Sequence, residues 1–197
     1  MSDVFRKAVL AAFIGSAATV AHADVLNFDD FSNGLRFFTA NYQGFKFGTN
    51  NASDNAWFHT SSATVDYTPH SGAIFVATDF QLYNNTNPWE ATQPISNTVP
   101  FKFDGAWFSG GDQVRYQLYS GGSLVYTSAD SQVLTAVSSW VPSGYMNLVD
   151  SVVIVGRQGF YAMDDFTFNS PVPEAGSLAL FTAGLLGLGA LVRRRQA

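Results

Sequence analysis

Between Asp24 and Ser170 the apolar residues fall into short runs broken about every ten residues by Gly, Asn, Ser or Asp. No run there keeps a helical period, apart from a stretch at Phe31–Thr39 that allows a single turn. The repeating element is therefore the β-strand. Candidates are Val25–Phe28, Gly44–Phe47, Trp57–Thr60, Ala73–Thr78, Val99–Asp104, Ala106–Ser109, Val114–Tyr119, Leu124–Thr127, Val152–Val155 and Tyr161–Phe168. In "VRYQLY" Val114, Tyr116 and Leu118 take one face, Arg115 and Gln117 the other. Gly121-Gly122 between that strand and "SLVYT" is a hairpin signal. "SVVIVG" is apolar on both faces and suits a central strand. Asn84–Thr98 is the longest stretch without a pattern. Many short strands of this kind predict an all-β, antiparallel β-sandwich such as a jelly roll. All the aromatic side chains except Phe5, Phe13 and Phe181 lie in this body, enough for a substantial core.

The ends have a different character. Arg6 and Lys7 precede an apolar run, Ala8–Val20, and Ala21-His22-Ala23 follows it. A basic start, a short apolar stretch and a small-x-small ending describe a signal peptide over residues 1–23, cleaved by signal peptidase between Ala23 and Asp24. At the other end, residues 177–192 carry neither charge nor proline and are apolar on every side, with Gly184, Gly187 and Gly189 among them. As a helix they extend roughly 24 Å, a short transmembrane segment that snorkelling arginines make workable. Arg193, Arg194 and Arg195 then hold the terminus in the cytoplasm, which places the body outside the inner membrane.

Five of the chain's ten Lys and Arg lie in residues 24–170, against 13 of its 15 Asp and Glu, so the body is eight charges negative. Such a surface repels phosphates, and no nucleic-acid partner is expected. Cysteine is absent, which removes thiolate metal sites and thiol nucleophiles.

Val172-Pro173-Glu174, a short apolar helix and a terminal arginine cluster together resemble the PEP-CTERM sorting signal of Gram-negative bacteria, a tail also labelled an ice-binding-protein C-terminal domain. The family core is written Pro-Glu-Pro; here it reads Pro173-Glu174-Ala175. The resemblance implies recognition of residues 171–197 by an exosortase, a membrane protease-transpeptidase, followed by release to the cell surface or extracellular matrix. "NYQGFKF", "VPFKFDGAWFSG", "YSGGSLVYT" and "FYAMDDFTFN" also resemble the β-sandwich passengers that accompany such tails. They imply a jelly roll like that of carbohydrate-binding modules over residues 24–170.

Catalysis finds little to stand on. There is no Gly-x-Ser-x-Gly elbow, and the body histidines, His59 and His70, read as surface side chains. A glycosidase needs two carboxyls across a sugar bond, and although aspartates can serve, nothing marks a pair here. The chain is expected not to be an enzyme, with a secreted jelly-roll hydrolase acting on polysaccharide as the alternative. "NFDDF" and "MDDFTF" supply a better site. Counted by strand alternation, Asp164 shares a side with Ala162, Phe166 and Phe168, and Asp30 with Leu26 and Phe28. Two readings stay open for Asp29, Asp30, Asp164 and Asp165: a structural calcium held between the first and last strands, or carboxylates capping backbone amides. For ligand binding, Trp57, Trp89, Trp140 and Tyr145 lie in or beside loops, where a flat ring can stack on a sugar. The expected role is structural or adhesive, in a matrix or biofilm, through exopolysaccharide.

Overall fold

The computed structural model describes residues 23–38, 41–48, 57–62, 66–78, 90–92, 94–157 and 160–170. They form β1 (Asp24–Leu26), β2 (Arg36–Phe37), β3 (Lys46–Phe47), β4 (Trp57–Ser61), β5 (Ile74–Thr78), β6 (Glu90–Ala91), β7 (Ile95–Gly110), β8 (Val114–Ser120), β9 (Ser123–Thr127), β10 (Ser139–Pro142), β11 (Leu148–Gly156) and β12 (Tyr161–Asn169). Every pairing is antiparallel. Among the described residues there is no helix, and so none long and apolar enough to cross a membrane. The expected signal and sorting helices lie outside the described residues. At Phe31–Thr39, where the sequence allows a helical turn, the chain instead makes β2.

One strand organises the architecture. The first half of β7 pairs with β11 and β3, and its second half with β12 and β10. Two ladders therefore share it: β2-β4-β5-β12-β7-β10, with β1 on the far end of β12, and β3-β7-β11-β8-β9, with β6 on the end of β11. The sequence pattern offers two strands here, Val99–Asp104 and Ala106–Ser109, where the structure has the single β7. Pro100 has no N–H to give, and it sits where the β11 ladder is interrupted between Val149 and Ser151. Gly105, at φ +144°, takes the bend between the two halves, where an added Cβ would lie 2.4 Å from the Val141 carbonyl oxygen. A proline and a glycine thus modulate one strand rather than end it.

Both ladders turn side chains into one apolar cluster. Tyr116, Leu118, Val152 and Ile154 come from the second, and Phe108, Met163, Phe166 and Trp57 from the first. Phe103 stacks on Phe166 at 4.6 Å and meets Tyr116 edge-on at 4.9 Å, which ties the ladders together. Burying each such ring contributes about 1.5–3 kcal/mol. A smaller cluster of Phe58, Phe75, Ala77 and Ala162 lies on the other face of the first ladder, covered by Leu35, Phe37 and Tyr67.

Candidate functional site

β12 changes face in mid-strand. Tyr161 and Met163 point into the main core and Ala162 into the small outer cluster, so strict alternation would send Phe166 and Phe168 outward. They point into the main core instead. A bulge between Asp164 and Thr167 absorbs the extra residue, with Asp165 at φ +45°. The expectation that Asp164 shares a side with Phe166 and Phe168 is therefore corrected. It is buried, but on the outer face of the first ladder, in register with Trp107 of β7.

The loop before β5 closes over that carboxylate. Asp164 accepts hydrogen bonds from the His70 N–H at 2.8 Å and the Ser71 N–H at 2.9 Å through one oxygen, and from the Asp165 N–H at 2.8 Å through the other. Asp165 receives His70 Nδ1 at 2.5 Å and the Ser71 hydroxyl at 2.9 Å. Burial pushes the Asp164 carboxyl up to about 7; the neighbouring Asp165 charge adds to this, and the three amides pull against it.

The other two acids work elsewhere. Asp29 accepts from the Ala73 N–H at 3.0 Å at the entry to β5, and Asp30 accepts from the Tyr42 hydroxyl at 2.8 Å. β1 does lie against β12, with Asp24 opposite Phe168 and Leu26 opposite Phe166. That adjacency does not gather the four carboxylates, and among the described residues no group of three or more His, Asp or Glu is placed to hold a metal ion. Asp29 and Asp164 cap backbone amides.

On the surface beside Asp164 is an aromatic row. Asp164 is opposite Trp107, and Trp107 is opposite Trp140 of β10, so the three share a face. The His70 ring lies flat on Trp107, with centroids 3.6 Å apart and planes at 10°. Trp140 is 6.0 Å from Trp107 and rests against the backbone at Gly105, leaving 38% of its surface in solvent. Asp165 thus orients His70, His70 covers Trp107, and Trp140 presents an open ring alongside.

The remaining stacking candidates divide. Trp57 is fully buried in the main core, so its expected role as a ligand platform is corrected: β4 is an interior strand with every residue buried. Trp89 lies outside the described residues. Tyr145 stacks on Tyr126 at 5.1 Å, and both pack against the main core. His59 is also no surface residue. It is buried flat against Phe31 at 4.2 Å, and burial, aided by the Arg36 charge, lowers its pKa. Trp107 and Ser71 were not singled out in the sequence. For Trp107 a signal exists: in "GAWFSG" it alternates against Ala106 and Phe108, both buried.

Beyond β12 the described chain ends at Ser170. Residues 171–195 match the family model for the PEP-CTERM protein-sorting motif. The chain carries this motif. It marks a bacterial protein for export and for membrane-associated processing by an exosortase. The PEP-CTERM match takes in Val172, Pro173, Glu174, Arg193, Arg194 and Arg195, all outside the described residues. Of the cleavage residues expected at the other end, Ala21 is outside them too, whereas Asp24 opens β1. No curated protein and no solved structure matches the chain.

Proposed function

We propose that this PEP-CTERM protein is a non-catalytic, adhesive component of the extracellular matrix or biofilm of a Gram-negative bacterium. In this reading signal peptidase removes residues 1–23, an exosortase acts at the Val172-Pro173-Glu174 core, and the jelly-roll body contacts exopolysaccharide. The observation that carries the binding half is the open Trp140 ring, in line with Trp107 and the His70–Asp165 pair. An indole face takes up the C–H side of a pyranose, and an imidazole held by a carboxylate orients a sugar hydroxyl. Sugar contact is favoured over hydrolysis because both oxygens of Asp164, the carboxylate in register with Trp107, are taken by backbone amides.

The test is a glycan array of neutral and acidic oligosaccharides probed with the full-length protein in detergent, with product release followed in parallel. The expected outcome is retention of a defined sugar without turnover, weakened about tenfold or more by Trp140→Ala, which removes about 1–3 kcal/mol of stacking. Unchanged retention in Trp140→Ala would move the site elsewhere. Product release abolished by substituting one acid would replace this reading with the secreted hydrolase.

A further inference from the structure

We infer that the end of the body from which the sorting tail leaves is itself a lipid-contacting surface, seated on the outer leaflet while the tail is uncleaved. The inference rests on the tail's membrane anchoring and is independent of the sugar contact above.

Register places the residues. Asn169, the last of β12, is opposite Lys102 of β7, and Lys102 is opposite Leu148 of β11. Leu148 therefore lies two strand spacings from the chain exit, roughly 10 Å away. Asp24, where the body begins, is opposite Phe168 on the other side of β12. Both ends of the body thus emerge at one edge.

Exposed apolar side chains surround that edge. Leu148 is 47% exposed; Met146, in the loop that leads into it, is 75% exposed. Val99, on the interrupted stretch of β7 facing Val149–Ser151, is 55% exposed, and Val25, opposite Thr167, is 44% exposed. Lys102, the cation among them, is neutralised by Asp104 at 2.8 Å. Among the described residues these side chains stay largely uncovered.

The tail decides what does. From Asn169 to Ser177, where the uncharged apolar stretch begins, eight residues reach at most about 28 Å even fully extended. The headgroup layer takes up roughly 5–7 Å of that reach. The body is therefore held within about one strand length of the leaflet, at the high effective concentration a short tether gives. Since the edge has no basic cluster, insertion of apolar side chains rather than attraction to anionic lipid is the mode that fits.

The chain has no native cysteine, so single-site labelling is unambiguous. Met146→Cys and Leu148→Cys are labelled with an environment-sensitive fluorophore in the full-length protein. Val137→Cys serves as the reference: it is 70% exposed but lies near the opposite end of β7, where Gly110 donates to the Thr135 carbonyl. Each is reconstituted into vesicles of neutral phosphatidylcholine with brominated acyl chains. Side chains about 5–10 Å inside the headgroup boundary should be quenched about threefold or more relative to position 137, and quenching should persist at high salt. Equal quenching at 146, 148 and 137 overturns the inference, as does quenching at 146 and 148 that salt abolishes. Either result leaves the glycan-array outcome untouched.

Discussion

The β8–β9 hairpin and the β12 bulge are both short stretches of antiparallel strand, yet they are built from opposite kinds of information. In β8, Val114, Tyr116 and Leu118 are buried and Arg115, Gln117 and Tyr119 are less so, as period-two alternation requires. Gly121 and Gly122 both take positive φ, the geometry of a tight two-residue connection. The pattern that forms the hairpin lies within it, and one outside contact braces its turn: the Gly121 N–H donates to the Asp150 carboxylate of β11 at 2.6 Å. β12 owes its shape to partners far away in sequence. Its bulge places Asp164 under His70 and Ser71, more than ninety residues upstream, and returns Phe166 and Phe168 to the core. Local rules write the first region, and a buried carboxylate with its amides writes the second.

The sharpest way to break this contrast is Asp164→Ala. It leaves the amides of His70, Ser71 and Asp165 without their acceptor, each at about 1–3 kcal/mol when buried. A loss of about 3–5 kcal/mol is expected in denaturant unfolding, a large fraction of the stability of a domain this size. The hydrogen-exchange protection of His70 and Ser71 should fall with it. A loss under about 1 kcal/mol would mean the loop holds itself and the bulge is merely tolerated.

The next effect comes from pH. Burial raises the Asp164 carboxyl to about 7 in the folded state, while the unfolded chain ionises it near the ordinary 3.8. Below the unfolded value the proton is on in both states and the contribution is complete. Between the two values the unfolded state gains by releasing its proton, so folding stability falls as pH rises, by up to about 1.4 kcal/mol per pH unit. Above about 7 the slope vanishes. The difference between the parent protein and Asp164→Asn, followed by chemical unfolding from pH 4 to 8, isolates this group from the other carboxylates. A difference that is flat, or that grows more favourable to the parent with pH, would show that the three amides outweigh burial.

The same division explains what could be read in advance. Strands defined by their own alternation or apolarity, such as Ile74–Thr78, Val114–Ser120 and Tyr161–Asn169, stand close to where the pattern puts them. β10 is not legible: of Ser139–Pro142 only Val141 is buried, and its strand state comes from pairing with Ala106–Phe108. β2, two residues long, exists because Arg36 and Phe37 meet His59 and Phe58. Asp164 was visible as a candidate, but its side was not, since one inserted residue reverses every parity after it. The Trp57 error has the same root. "NNASDNA" ahead of it reads as loop, and nothing within "WFHTS" tells that β4 is covered on both faces. The amides that Asp29 and Asp164 cap belong to the loop before β5, at positions no local pattern reveals.

The smallest effect belongs to the hairpin, and it tests whether that region is as self-contained as its sequence implies. Gly122, at φ +75°, has open space where a Cβ would be added, so Gly122→Ala suffers no clash and only the cost of a left-handed conformation. That cost is about 1–2 kcal/mol. Because β9 is bonded to β8 alone on the sheet path, the loss should stay local: faster amide exchange in Ser123–Thr127, with His70 and Ser71 unchanged. Exchange that quickened equally in both regions would instead make the hairpin and the bulge one cooperative unit, and the distinction between locally and remotely written structure would not survive in the stability of this protein.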